Sequence, residues 1–236
     1  MKKASLKLGT FLSLGSPVVA EVCGKYPFDW ILIDGEHGAG MSEDALFRIL
    51  QAMGPTKAKK IVRLGEPSHT AIQHALDWGA DGLMIPHVDS ADIARQALDS
   101  MLYPPKGRRG YSRSVRAFGY GTALPDKPRK PLLFAQIETL EAVENVEAIA
   151  AVDGVDVLFV GPADLGFDLK ASKSPLTVDD LLPRVAKTAV KAGKAAGILT
   201  RDDKQVAPRL KLGYTHQAVD SDLGVLRRRW AELTAR

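Results

Sequence analysis

The sequence predicts a single (β/α)₈ TIM barrel, and three observations support this prediction. Apolar segments alternate with segments of helical periodicity about eight times along the chain, which is the pattern of this fold. The length of 236 residues is close to the ~250 that are typical of such barrels. No glycine-rich phosphate-binding fingerprint follows the first apolar segment, which argues against the alternative of an open doubly wound sheet. We therefore expect residues 1–236 to form one barrel domain.

Each predicted strand is a short apolar run that ends at turn residues, as buried parallel strands do. The eight runs are Leu8–Leu14, Phe28–Asp34, Lys60–Leu64, Gly82–Val88, Leu132–Glu138, Val155–Val160, Ala195–Leu199 and His216–Val219.

Helices are predicted between these runs, where apolar residues recur at helical spacing. Ser16, Ser42 and Ser90 are N-cap residues that indicate helix starts, and Pro17 suits a first turn. The predicted helices are Val18–Cys23, Ser42–Met53, His69–Trp78, Ser90–Met101, Glu141–Ala150, Leu181–Ala192, Lys204–Leu212 and one that begins at Leu223.

The segment 103–131 interrupts this alternation and is rich in Gly, Pro, Arg and Tyr. Loops of this length inside a compact domain are usually lids or binding loops, or are disordered. We expect a long loop insertion within the barrel.

Composition excludes several classes of function. The formal net charge is only +4, and no dense basic run is interleaved with aromatic residues, so no nucleic-acid partner is expected. The single cysteine, Cys23, rules out an internal disulfide and fits a reducing compartment. No run approaches the ~20 apolar residues of a membrane span. These features predict a cytoplasmic protein without a membrane partner.

Two of the apolar runs lead to a carboxylate, at Glu138 and at Asp164. The carboxyl ends of barrel strands meet on one face, where catalytic residues gather. Two carboxylates side by side repel each other unless a cation joins them, and hard oxygen ligands with open positions suit Mg²⁺ or Mn²⁺. The alternative is that both acids are helix N-caps or first-turn residues.

Other polar residues are predicted at the same face. Asp34, Glu36 and His37 follow the second strand, Arg63 ends the third, and Gln136 lies on the fifth. With the two acids above, this set contains metal ligands, a candidate base and a fixed cation, converging from four strands.

Each of these residues also has a structural interpretation. A buried Arg63 requires an anionic partner and could simply pair with Asp34. His37 could be an ordinary loop histidine, and His87, at the end of the fourth strand, is a rival base. The segment 161–164 could be a tight turn or could present backbone N–H groups to a carboxylate.

Through these motifs the chain resembles the metal-dependent class II pyruvate aldolases typified by 2,4-dihydroxyhept-2-ene-1,7-dioate aldolase. The resemblance runs in the family's order from about Leu8 to the C-terminal helix. The matching motifs are Phe28–His37, Val62-Arg63, Leu76–Ala80, Tyr103–Gly110, Gln136–Thr139, Glu144-Asn145 and Phe159–Leu165.

The resemblance implies a ligand set. Glu138 and Asp164 match the metal ligands, for Mg²⁺ or Mn²⁺ with Co²⁺ as an alternative. Gln136, Ala163 and Asp164 match substrate-binding positions, and Ala163 acts there through its backbone.

The resemblance also implies catalytic roles and an assembly. His37 matches the general base, and Arg63 matches the residue that stabilises the enolate. Asp77 matches a carboxylate that reaches the histidine from a neighbouring subunit and raises its basicity. The family implies a homo-oligomer, typically a hexamer built of trimers.

The activity implied by the resemblance is reversible cleavage of 4-hydroxy-2-oxo acids to pyruvate and an aldehyde, with oxaloacetate decarboxylation as a side activity. The segment 112–130 matches the family less well, which leaves the aldehyde open. Two alternatives are a citramalyl- or malyl-CoA-type lyase and a non-catalytic barrel that binds an anionic metabolite.

Overall fold

The structure, a computed structural model that describes residues 5–125 and 128–235, contains a closed barrel of eight parallel strands. The strands are Lys7–Leu12 (β1), Trp30–Gly35 (β2), Lys59–Leu64 (β3), Gly82–Ile85 (β4), Leu132–Ile137 (β5), Val157–Val160 (β6), Ala195–Thr200 (β7) and Tyr214–Ser221 (β8). They follow one another in sequence order, and β8 closes the barrel by pairing with β1. The predicted TIM barrel is confirmed, and the open sheet is excluded.

All eight predicted strands are present, although some of their ends differ. The fourth strand stops at Ile85 rather than Val88, because Pro86 has no N–H to donate and His87 adopts a left-handed φ of 48°. The first strand ends at Leu12, and the last begins at Tyr214, two residues before its predicted start.

Ten α-helices connect the strands in the described residues. They are Pro17–Cys23 (α1), Glu43–Ala52 (α2), His69–Asp77 (α3), Ala91–Met101 (α4), Leu140–Glu144 (α5), Val146–Ala150 (α6), Pro162–Ala171 (α7), Val178–Lys191 (α8), Val206–Leu212 (α9) and Asp222–Thr234 (α10). None of these helices is long and apolar enough to cross a membrane.

The serine side chains at positions 16, 42 and 90 cap α1, α2 and α4, as predicted. One predicted helix was wrong, and one of two open interpretations is excluded. The helix expected at 141–150 is two short helices that meet at Asn145. The segment 161–164 is not a tight turn, because Gly161 is the N-cap of α7 and Pro162 its first residue, a position that tolerates the missing N–H.

Apolar side chains fill two separate layers. One layer lies between the strands and the helices, and the other fills the inside of the barrel. Inside the barrel, Phe11, Trp30, Phe134 and Phe159 form an aromatic cluster with centroid distances of 5.4–6.3 Å, and each is 6% exposed or less. The barrel interior is therefore a packed floor beneath the carboxyl ends of the strands.

In its described part, the segment between α4 and β5 contains the 3₁₀ turns of Arg116–Gly121, which are interrupted by non-helical backbone at 118–120. Residues 126–127 of the predicted loop lie outside the described residues. Arg109 anchors this segment. Its guanidinium is buried, lies 4.6 Å from the ring centroid of Tyr103 and donates to Asp77 at 2.6 Å.

The burial of His216 leads us to expect that the folded state becomes less stable at acidic pH. The pKa of His216 on β8 is lowered from 6.5 to about 4, first by burial and then by the charge of Lys7, against an opposing effect of Asp29. The unfolded chain therefore takes up this proton more readily than the folded chain as the pH falls. Neutral His216 therefore causes no loss of stability above pH ~6.5. Between pH ~6.5 and pH ~4 the free energy of unfolding falls because of this histidine, by at most about 3 kcal/mol.

Urea unfolding at pH 7 and pH 5 checks this prediction. We expect His216→Gln to lose less stability than the wild type on acidification, because glutamine does not titrate. The exposed His74 provides the control, since His74→Gln should follow the wild type. Equal losses for all three proteins would contradict the prediction.

Candidate active site

A cavity of about 360 Å³ opens at the carboxyl ends of the strands. Six of the residues predicted from strand ends and family motifs line it, namely Asp34, His37, Arg63, Gln136, Ala163 and Asp164. Glu138 borders the same site through its hydrogen bond from the Gln136 side chain.

Arg63 is the most tightly held group in this cavity. Asp34 and Arg63 are direct neighbours in the register of β2 and β3. Nε and Nη2 of Arg63 donate to the Asp34 carboxylate at 2.9–3.0 Å, and Nη1 lies 2.8 Å from Oε2 of Glu36. Both members of the Asp34 pair are buried. The ion pair between Arg63 and Asp34 that the sequence suggested is present, and Glu36 is a second acidic partner of Arg63.

The same carboxylate orders the turn that carries His37. Oδ1 of Asp34 accepts hydrogen bonds from the backbone N–H groups of Glu36 and His37 at 3.2 and 3.1 Å. The His37 imidazole is largely exposed, and its Nε2 lies 3.7 Å from the Glu36 carboxylate. A solvent-accessible imidazole is thus presented at the cavity wall with an acid beside it.

The rival histidine has a different position. The backbone N–H of His87 donates to Oε1 of Glu138 at 2.8 Å, and its Nδ1 lies 3.5 Å from the same atom. His87 does not line the cavity described above.

Glu138 is a buried carboxylate in an unfavourable environment. Burial is the main cause that raises its pKa, and the negative charges of Asp164 and Glu36 raise it further, while contacts with His87 oppose this shift. The alternative interpretation was that both acids are helix N-caps or first-turn residues. Asp164 does lie in the first turn of α7. Glu138 has neither position, because Thr139 is the N-cap of α5.

This environment fits a divalent cation, which would stabilise the ionised forms of Glu138 and Asp164. Oε1 of Gln136, beside them, is buried without a hydrogen-bond partner. Gly161 lets α7 approach, since a Cβ there would lie 2.8 Å from Oε2 of Glu138. The described residues contain no group of three or more His, Cys, Asp or Glu that could hold a metal. An ion held by two acids would keep open positions for substrate oxygens.

The N-terminus of α7 adds a second electropositive element. Its N-cap, Gly161, has no side chain to satisfy the first backbone N–H groups, and Pro162 and Ala163 line the cavity. Free N–H groups and the helix dipole make such a terminus suitable for an anion.

Asp77 is the one predicted site residue that lies elsewhere. It is the last residue of α3 and therefore lies towards the opposite rim, where it is buried and bonded to Arg109. The chain does not bring Asp77 to its own His37.

Three charged residues of the cavity were not predicted. Arg201 follows β7, Asp220 lies near the end of β8, and Arg227 projects from α10. Arg201 and Asp220 lie at the ends of β7 and β8, so the same reasoning from strand ends that indicated Arg63 also applies to them.

Known proteins are similar to this chain in sequence and in fold. Residues 7–228 match the family model described as HpcH/HpaI aldolase/citrate lyase. A 4-hydroxy-2-oxovalerate aldolase from Novosphingobium aromaticivorans is 38% identical, with 100% of this chain and 94% of that protein aligned. A 4-hydroxy-2-oxo-heptane-1,7-dioate aldolase from Escherichia coli is 35% identical over 99% of this chain and 93% of that protein. The crystal structure of an HpcH/HpaI aldolase/citrate lyase family protein from Burkholderia cenocepacia J2315 has a TM-score of 0.90 and 31% identity, covering 98% and 93% of the two chains.

The arrangement around Arg63 predicts a large and specific loss of stability. Removing Asp34 leaves a buried guanidinium with Glu36 alone, and breaking a buried ion pair typically costs about 3–5 kcal/mol. We expect Asp34→Ala to lower the free energy of unfolding by this order, measured in urea. The exposed pair of Asp44 and Arg48 provides the matched control, because Asp44→Ala should cost about 1 kcal/mol or less. Similar losses for the two variants would show that the buried pair is not a major stabilising contact.

Proposed function

The chain belongs to the HpcH/HpaI aldolase/citrate lyase family and is an aldolase, and we propose that it reversibly cleaves 4-hydroxy-2-oxo acids to pyruvate and an aldehyde. The observation that carries this proposal is the convergence of a fixed cation, an accessible imidazole and two acids on one cavity. Together these groups can supply the base and the positive charge that this reaction needs.

Cleavage begins with loss of the proton from the 4-hydroxyl group. The C3–C4 bond then breaks, the aldehyde carbonyl forms, and the electron pair of that bond passes into the enolate of pyruvate. The enolate finally takes a proton at C3. An enzyme must therefore supply a base and a site for the negative charge of the enolate.

His37 is the proposed base, because it is the cavity histidine and is exposed to substrate and water. Arg63 is the proposed electrostatic stabiliser of the enolate. Asp34 and Glu36 prevent its guanidinium from moving, so its charge needs no reorganisation when the enolate forms.

Glu138 and Asp164 are the proposed ligands of Mg²⁺ or Mn²⁺, with Co²⁺ as an alternative. When bound, such an ion acts as a Lewis acid towards the 2-oxo group. Gln136 and the backbone N–H groups at the start of α7, including that of Ala163, are proposed to hold the pyruvate half of the substrate. The uncapped helix terminus supports this role, because its backbone N–H groups can donate to a carboxylate.

Asp77 can assist His37 only from another copy of the chain, since it lies at the opposite rim of its own barrel. We therefore retain a homo-oligomer, of the hexameric kind built of trimers, as part of the proposal. Oxaloacetate decarboxylation is a proposed side activity, because it passes through the same enolate.

Metal dependence gives the first test. Purified enzyme with 4-hydroxy-2-oxoheptane-1,7-dioate should release pyruvate with Mn²⁺ and not after chelator treatment, as followed by coupled NADH oxidation. Glu138→Ala should lower kcat/KM by about 100-fold or more, since a Lewis acid contributes several kcal/mol. Glu141→Gln is the control, because Glu141 is exposed on α5. Full activity after chelation and in Glu138→Ala would refute the proposal and favour a different class of function.

The identity of the base gives a second test. His37→Gln should lower kcat/KM for the same reaction by about 10²- to 10⁴-fold, the usual contribution of a general base. His87→Gln should have a much smaller effect, because this side chain lies outside the cavity. Circular dichroism verifies that both variants are folded. The opposite order of effects would transfer the role of base to His87.

A further inference from the structure

The two proposed metal ligands lie on neighbouring segments of the fold that are held by very different contacts. Both carboxylate oxygens of Glu138 accept hydrogen bonds, Oε1 from the backbone N–H of His87 at 2.8 Å and Oε2 from the side-chain amide of Gln136. The carboxylate of Asp164, in the first turn of α7, forms no hydrogen bond or ion pair with any residue that the structure describes. The position of Asp164 relative to Glu138 therefore depends on how α7 is placed.

α7 has few contacts that could place it. Its N-cap, Gly161, provides no side-chain hydrogen bond, and Leu165 and Leu169 are the buried residues of the helix. Among the residues that the structure describes, one side-chain hydrogen bond joins α7 to another element. The carboxylate of Asp168 accepts this bond from the backbone N–H of Leu140, the first residue of α5, at 2.8 Å.

The donor of this hydrogen bond has no partner within its own helix, because the first backbone N–H groups of a helix lack one. The side chain of Thr139, the N-cap of α5, accepts from the N–H of Ala142 at 3.0 Å and leaves that of Leu140 free. An acid beside a helix start is also favoured by the helix dipole. Asp168 therefore binds a donor that needs an acceptor at this place.

A second hydrogen bond joins the same two segments on the other side of the proposed ligands. The backbone N–H of Gly161 donates to the carbonyl oxygen of Ile137 at 3.2 Å and continues the pairing of β5 with β6. Glu138 directly follows Ile137, and Asp164 lies between Gly161 and Asp168. The two hydrogen bonds thus close a ring that contains both proposed ligands, one on each of its two segments.

The spacing along α7 couples Asp168 to Asp164. These residues are four positions apart, so they lie on the same face of the helix, one turn after the other. A rigid helix turn transmits any displacement of Asp168 to Asp164. The ring therefore controls the distance between the carboxylates of Asp164 and Glu138.

We propose that Asp168 is a positioning residue that holds Asp164 beside Glu138 and thereby sets the affinity of the site for a divalent cation. This inference rests on the proposed function, in which both carboxylates bind Mg²⁺ or Mn²⁺. The two acids repel each other while no ion is bound, and the hydrogen bond of Asp168 opposes their separation. Without it, part of the free energy of ion binding would be lost in ordering α7.

Titration with Mn²⁺, followed by the electron paramagnetic resonance signal of the free ion, measures this affinity without substrate. Asp168→Ala removes the acceptor and should raise the Kd for Mn²⁺ by about 10-fold, as is usual when the groups that support metal ligands are removed. Asp168→Asn retains an oxygen that can accept from Leu140 and should bind Mn²⁺ like the wild type. Equal weakening in Asp168→Asn would assign the effect to the negative charge of Asp168 and would overturn the inference.

Asp156→Ala is the matched control, because Asp156 makes the equivalent contact at the opposite ends of the same two strands. Its carboxylate accepts a hydrogen bond from the backbone N–H of Leu133 on β5 at 2.9 Å. We expect this variant to be less stable in urea, as Asp168→Ala is, but to keep the wild-type Kd for Mn²⁺. An unchanged Kd in Asp168→Ala, or an equal increase in both alanine variants, overturns the inference.

Asp168→Glu serves the same purpose if Asp168→Ala does not fold. It keeps the carboxylate but lengthens the connection by one methylene group, so Mn²⁺ binding should still weaken, and an unchanged Kd would then overturn the inference. Failure of the wild type to bind Mn²⁺ would overturn the proposed metal site itself. Mn²⁺ binding and Mn²⁺-dependent pyruvate release by the wild type support the proposed function independently of the Asp168 variants.

Discussion

The site depends on one buried arginine, Arg63, whose guanidinium is held between the carboxylates of Asp34 and Glu36. The positive charge of Arg63 is balanced by the carboxylate of Asp34, and the carboxylate of Glu36 adds a second negative charge, so this cluster carries excess negative charge. Glu138 and Asp164 add two more carboxylates nearby, and the pKa of Glu138 is raised first by burial and further by the charges of Asp164 and Glu36. The β2–β6 side of the cavity therefore carries more negative than positive charge, which a bound divalent cation would neutralise.

The opposite side of the cavity has the reverse character. Arg201 and Arg227 bring positive charge there and form no ion pair with any described residue, whereas Arg228 on α10 pairs with Asp220. The β2–β6 wall therefore carries excess negative charge although Arg63 lies there, and the β7–β8 wall carries excess positive charge although Asp220 lies there. Such an arrangement favours ligands whose own charges are placed to match.

The fold was predictable because parallel barrel strands are buried on both faces and appear as continuous apolar runs. Runs such as Leu132–Glu138 needed no three-dimensional information. α7 was missed because Pro162–Ala171 has little helical periodicity and starts with Gly-Pro, which also suits a turn. Strand 4 was predicted too long because its apolar character continues through Val88, although Pro86 and a left-handed His87 end its pairing.

The candidate site was predictable to the extent that it follows strand ends. Asp34, Arg63 and Gln136 obey that rule, and their proximity is a property of the barrel. The position of Glu36 against Arg63 could not be predicted, since it depends on how the turn after β2 folds back. The place of Arg227 in the wall could not be predicted either, because it depends on how α10 is joined to the segment after β1 and to Asp220.

The aromatic cluster inside the barrel has one more consequence. Phe11 and Phe159 belong both to that cluster and to the cavity lining, so packed aromatic side chains form the floor of the cavity. Any molecule that this cavity binds therefore enters and leaves on the side of the strand carboxyl ends, and none passes through the barrel.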